Sequence, residues 1–276
     1  MWVIKVNWLY RMEFDFVARQ GIKMKEECYM TSFRDTTHLV VQGHEGWLEF
    51  RSSHGHRCSP VELLFKWGHN MKVDGLCRKE ILKSYLIEPD GKKSELSIGG
   101  PEETAYKITF IPEQTGFYRP VVEAEGVFTV TVDGQYLNVP KKDCEFPLES
   151  VAYTQYAGAV VPVGHDLEGP VQAVGGNLEL LPLFWKPWKV GDTIELQVKY
   201  KGAPAAGTQV ALINGMADDK DEPQLKDTNG EGKAAFTFDK PGFYLALVRY
   251  IDNDDVKEGY YDRRNYTATL FIMVTK

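Results

Sequence analysis

From Thr193 to Tyr200 polar and apolar residues alternate, and a period of two places Ile194, Leu196, Val198 and Tyr200 on one face of a strand. Lys201-Gly202-Ala203-Pro204 ends this run with turn residues. Gln209–Ile213 is a second short alternation, with Val210 and Leu212 aligned. Asn229-Gly230, inside Asp227–Gly232, is a pair that tolerates positive φ in a tight turn. Ala234–Phe238, Phe243–Tyr250 and Tyr266–Val274 are further strand candidates, the first two separated by Pro241-Gly242. Short strands punctuated by turns, with helical spacing nearly absent, predict an immunoglobulin-like sandwich over residues 177–276.

Residues 44–145 carry the same signature less regularly. Val61–Trp67 is an apolar run that fits a buried strand, and Ile81–Ile87 ends at the turn Glu88-Pro89-Asp90-Gly91. Tyr106–Phe110, Gly116–Val122 and Val127–Val132 continue the pattern. The sequence Gly, Phe, Tyr occurs at 116–118 and again at 242–244, each time opening a strand after a turn containing proline. The expected fold is therefore all-β, with two immunoglobulin-like antiparallel β-sandwich domains: 44–145 and 177–276. Residues 1–43 have weak periodicity and read as an irregular N-terminal segment. Residues 146–176, rich in glycine and proline, read as a linker of extended chain with turns.

Composition fits this picture. Aromatic residues make up 12% of the 276, and they suit pleated surfaces. The formal charge of −7, without any long Lys/Arg run, disfavours a nucleic-acid partner. No stretch reaches the roughly 18 uninterrupted apolar residues of a membrane-spanning helix. The N-terminal region lacks the basic start, continuous apolar core and small-residue cleavage site of a signal peptide. The four cysteines, Cys28, Cys58, Cys77 and Cys144, form no C-x-x-C pair, which excludes zinc-ribbon and thioredoxin-like motifs.

Four of the six histidines, His44, His54, His56 and His69, lie in one short stretch. On an extended chain His54, His56 and Cys58 point to one face, and their donors suit nickel, cobalt, copper or zinc. The serines on both sides equally fit an exposed polar loop. The acidic runs 218–222 and 252–255, and Asp227-x-Asn229-Gly230, lack the spacing of a calcium loop and read as solvated loop tips. There is no G-x-S-x-G, H-E-x-x-H, P-loop or G-x-G-x-x-G, so the chain is expected not to be an enzyme.

His44-Glu45-Gly46-Trp47-Leu48-Glu49, Trp67-Gly68-His69 with Asp74-Gly75, Glu88-Pro89-Asp90-Gly91 and Gly116-Phe117-Tyr118 follow one another in this order. In the second half come Leu178–Leu183, Val190-Gly191-Asp192, Lys201–Pro204, Asp227-x-x-Gly230, Pro241–Tyr244 and Tyr266-x-Ala268-Thr269-Leu270. Over 44–276 the chain resembles an uncharacterised domain family associated with the periplasmic component of nickel/cobalt uptake systems. The resemblance implies two β-sandwich domains in a periplasmic or extracellular protein that delivers a transition metal, nickel or cobalt, to a membrane uptake complex. His44 and His69 match the family's motif histidines and would be the primary metal ligands, with His54 and His56 as auxiliary ones. His54, His56 and Cys58 lie outside the family pattern. Two other readings stand beside it. One is a structural or protein-interaction module without a metal, self-associating through edge strands or residues 1–43. The other is a small-ligand binder using Trp47, Trp67, Trp185 or Trp188, residues that also suit core packing.

Overall fold

The structure, a computed structural model, describes residues 43–216 and 222–276. The expectations for the N-terminal segment, for Cys28 and for the acidic run at 218–221 fall outside the described residues. Among the described residues there is no α-helix, and strands carry the fold. The first half contributes β1 (Glu45–Glu49), β2 (Val61–His69), β3 (Lys72–Gly75), β4 (Leu82–Ile87), β5 (Lys93–Glu95), β6 (Ile98–Glu102), β7 (Ala105–Phe110), β8 (Gly116–Thr131) and β9 (Tyr136–Leu137). Then come β10 (Pro147–Gly158), β11 (Val161–Val163), β12 (Leu178–Pro182), β13 (Trp188–Lys189), β14 (Thr193–Tyr200), β15 (Ala203–Pro204) and β16 (Gln209–Asn214). The last four are β17 (Gln224–Asp227), β18 (Lys233–Thr237), β19 (Gly242–Asp252) and β20 (Arg263–Thr275).

A long central sheet runs in the order β17-β16-β19-β20-β10-β8-β4-β5. Its pairings are antiparallel except where β20 meets β10 and β13. Alternation along its strands turns successive side chains to opposite faces. On one face Val121 and Tyr156 join Val210, Leu212, Ala246, Leu270 and Ile272 in a core closed by Ile194, Leu196 and Val198 of β14. The sheet β12-β14-β15, with β18, therefore covers that face. On the other face Tyr118, Val122 and Ala157 pack with Leu63, Phe65 and Ile108 of the sheet β1-β2-β7-β6. Further along that second face Trp47 of β1 closes over Ala211, Ile213, Leu245, Leu247 and Phe271. The two sandwiches thus share one sheet.

The repeated Gly-Phe-Tyr has a physical role in each sandwich. The Tyr118 hydroxyl donates to the carbonyl of Gln114 at 3.2 Å and accepts from its amide at 3.1 Å. The Tyr244 hydroxyl does the same with Lys240, at 2.8 Å and 3.2 Å. Each is a tyrosine corner, a buried ring whose polar tip ties a strand to the turn before it, as in immunoglobulin-like sandwiches.

Residues 146–176, expected to be a linker, depart most from the sequence reading. They hold β10, which lies between β8 and β20 and joins the two halves of the central sheet. The runs at 116–122 and 127–132, read as two strands, form the single strand β8. Cys58, Cys77 and Cys144 are free thiols.

Candidate functional site

His44 precedes β1, His69 ends β2, and Asp74 lies on β3. The antiparallel register Glu45↔Gly68 sets His44 beside His69. Asn70 and Met71 both have positive φ, 50° and 63°, so β2 and β3 join through a two-residue turn of the type that suits hairpin twist. A register shift between Trp67 and Gly68 gives β3 the offset that brings Asp74 to the two imidazoles. His69 Nδ1 lies 2.7 Å from Asp74 Oδ2, and His44 Nε2 lies 3.0 Å from the same oxygen. The imidazole centroids are 4.1 Å apart, and His44 stacks on Trp67. One donor atom from each of the three residues falls within a 4.8 Å group, with His44 and Asp74 exposed and His69 partly buried. Burial and the neighbouring His69 push the His44 pKa down, with Asp74 opposing, so the neutral ligand form is favoured.

Central-sheet side chains hold this corner by its backbone. Gln155 of β10 donates to the His44 carbonyl at 2.9 Å and accepts from the Gly46 amide at 3.0 Å. Thr269 of β20 donates to the Gly46 carbonyl at 2.7 Å. Arg249 of β19 donates to the Gly43 carbonyl at 2.9 Å and pairs with Glu45 at 3.1 Å. Glu45 is fully buried, and desolvation pushes its pKa up to about 8 against the charge of Arg249. Its Oε1 also accepts the Asn70 amide at 2.5 Å, pinning the hairpin turn.

Gly68 is the tightest point. A Cβ there would lie 2.0 Å from the Lys72 carbonyl oxygen. Gly68→Ala is expected to cost about 2 kcal/mol by forcing β2 and β3 apart. Urea unfolding checks the stability. Nickel titration should show affinity falling with it, because the hairpin carries two of the three donors.

His54 and His56 form a different group, with His165 as its third member, their donor atoms also within 4.8 Å of one another. The Gly55 amide donates to the Pro162 carbonyl at 2.7 Å and the Gly164 amide to the Gly55 carbonyl at 3.1 Å, which ties the two loops. Burial first, then His165 and His56, lower the His54 pKa. The four histidines named from the sequence therefore fall into two groups with no shared member. Cys58 is not in the second: it sits at φ 60° in a turn after His56, so the extended geometry that would have aligned it with His54 and His56 ends before it.

The acidic residues read as loop tips are occupied locally. Asp252 accepts from the Tyr200 hydroxyl and pairs with Lys201, Asp255 pairs with Arg264, and Asn229 caps its own turn. Trp47, Trp185 and Trp188 are buried and Trp67 is partly so, as core packing requires.

A model of a domain of unknown function, DUF4198, matches residues 41–252. The chain belongs to this family. The DUF4198 match spans the first group, the second group and most of the central sheet. No curated protein matches the sequence. Solved structures with some likeness to this DUF4198 protein include a DUF4785 family protein of Legionella pneumophila, at 11% identity and TM-score 0.27, over 80% of this chain and 54% of that one. The Escherichia coli alpha-2-macroglobulin activated by porcine elastase has 11% identity and TM-score 0.24, over 85% of this chain and 31% of its own. The D0-D1 domain of intimin has 11% identity and TM-score 0.22, over 84% and 98%. The chain spans about half the length of the Legionella protein. Likeness at this level assigns neither ligand nor activity.

Proposed function

We propose that this protein is a non-catalytic, transition-metal-binding accessory protein of a nickel or cobalt uptake system, holding its ion between His44, His69 and Asp74. The observation that carries the reading is the convergence of two imidazoles and one carboxylate from the residue before β1, the end of β2 and β3. Two nitrogens and one oxygen form a borderline donor set that suits nickel, cobalt, copper and zinc more than magnesium or calcium. Three protein donors leave coordination positions open, as a site that passes its cargo on requires. The sequence resemblance supports the remaining parts: a place outside the cytoplasm and a membrane uptake complex as recipient.

Calorimetric titration of the metal-free protein with nickel chloride tests this. His44→Ala and His69→Ala are each expected to weaken binding about 100-fold, since losing even an outer partner of a ligand costs 10–100-fold. Unchanged affinity in both variants sinks the reading.

A second reading, a protein-interaction module, draws on one observation. Val132, Tyr136, Leu137, Phe146 and Leu148 are large, exposed apolar residues at one end of the central sheet, on paired strands and the loop between them. Contiguous exposed apolar surface marks interaction sites. If it holds, Phe146→Ser with Leu148→Ser abolishes a chelator-resistant oligomer in size-exclusion chromatography; a monomeric parent protein ends that reading.

A further inference from the structure

We propose that His54, His56 and His165 form a second transition-metal centre, an all-imidazole site at the mouth of a cleft. It goes beyond the function proposed above and shares no ligand with the His44–His69–Asp74 group.

The first support is how the backbone presents the rings. Gly55 and Val163 form a parallel bridge, so one tied segment carries His54 and His56 and the other carries His165. Around buried, extended Gly55 the two flanking side chains fall on one side. Gly55 has to be glycine, because a Cβ there would lie 2.7 Å from Val61 Cγ2. The ring centroids of His54 lie 4.7 Å from His56 and 4.2 Å from His165. Asp166 is the one carboxylate on the cleft wall, and a shared cation takes a lone pair from each of the three rings.

The second support is an unsatisfied atom. His54 Nδ1 lies 2.9 Å from the Ser53 hydroxyl, while Nε2 is buried and has no hydrogen-bond partner. Buried polar atoms are normally paired. With Nδ1 donating to Ser53, the lone pair sits on Nε2. This is the arrangement of a metal-bound imidazole, whose other nitrogen is held by an outer hydrogen bond.

The third support is the surroundings. His54 and His165 line a cleft of about 200 Å³ whose wall includes Trp185, Trp188 and Lys186. Three protein nitrogens leave a fourth position, and the cleft gives an exchangeable ligand such as water a way to it. With no carboxylate in the set, copper(II), nickel and zinc are the ions it takes, and hard cations are not.

The test uses the full chain, stripped with chelator and titrated separately with copper(II), nickel and zinc chlorides, with circular dichroism confirming that each variant folds. Two equivalents per chain are expected for the parent. His165→Ala should leave one, weakening the other at least tenfold. The double variant His44→Ala/His69→Ala should also leave one, and its copper(II) form should show hyperfine coupling to three nitrogens by electron paramagnetic resonance. That coupling should drop when His165→Ala is added. Stoichiometry unchanged by His165→Ala, or a double variant that binds no metal, overturns the inference. A single equivalent lost with His44→Ala but kept with His165→Ala overturns it while leaving the function proposed above intact. The opposite pattern upholds it and removes that function.

Discussion

Arg249→Met lowers stability by about 3 kcal/mol and weakens nickel binding about tenfold, in urea unfolding and nickel titration respectively. The guanidinium is the counter-charge of fully buried Glu45 and donates to the carbonyl of Gly43, with a further hydrogen bond to Thr267 at 3.1 Å. Removing one member of a buried pair costs about 3–5 kcal/mol, because the other is left buried without its partner. The lower end applies here: burial pushes the Glu45 pKa upward, so without the guanidinium its carboxyl keeps a proton rather than standing as an unpaired buried charge. The loss in affinity follows from position. Arg249 holds the Gly43 carbonyl before His44 and the Glu45 carboxylate after it, while Gln155 still holds the His44 carbonyl. An outer support lost from a ligand costs about 10–100-fold, and the remaining clamp keeps the effect near the bottom of that range. Full affinity in a destabilised Arg249→Met protein would separate the clamp from the site.

The contrast between β14 and β10 explains what the sequence reveals. In β14 every second residue is apolar, and Ile194, Leu196 and Val198 are fully buried. One face meets core and the other does not, so the period of two is written in the residue types. β10 is buried over most of its length as well, yet Ser150, Thr154 and Gln155 are among its buried residues. Their hydrogen-bonding groups are used: Ser150 meets Thr129, Thr154 meets Arg264, and Gln155 clamps β1. A strand that buries polar side chains to bind other strands carries no hydrophobic pattern, and with Gly158 at its end it reads as connector. The candidate sites divide in the same way. His44 and His69 stand out through the motifs around them. Asp74 joins them only through the register shift in the β2–β3 hairpin. His165 reaches His54 and His56 only through the Gly55–Val163 bridge, a contact between distant segments that residue types do not announce.

That bridge depends on a chain segment with few strands of its own, which is why Arg119→Ala is expected to have the largest effect on stability, a loss of about 4 kcal/mol. Arg119 lies on β8 with 2% of its surface exposed. It donates to the Ala159 carbonyl at 3.2 Å and to the Gln172 carbonyl at 2.7 Å, so one side chain holds both ends of the stretch that contains His165. Gln172 continues the tie to the Pro89 carbonyl at 2.6 Å. Burial lowers the Arg119 pKa to about 10, still far above neutral, and the charge of Glu179 works in the opposite direction. Truncation leaves two carbonyls without a donor, deprives Glu179 of its counter-charge and opens a cavity. The first costs about 1–3 kcal/mol for each group; relief of the guanidinium's own desolvation offsets part of the sum. The urea midpoint should fall with little change in slope, the sign of lost stability without a change in the surface exposed on unfolding. The 159–172 stretch should loosen before the rest, so backbone amides there, including those of Gly164 and Gly169, should exchange with deuterium faster than those of β19 and β20. Metal binding by the three histidines should weaken in the same variant, while His44 and His69, whose supports come from β10, β19 and β20, keep their affinity. A loss below about 1 kcal/mol, the ordinary size of a single hydrogen bond, would show that other contacts hold the segment and that Arg119 is only one of several ties.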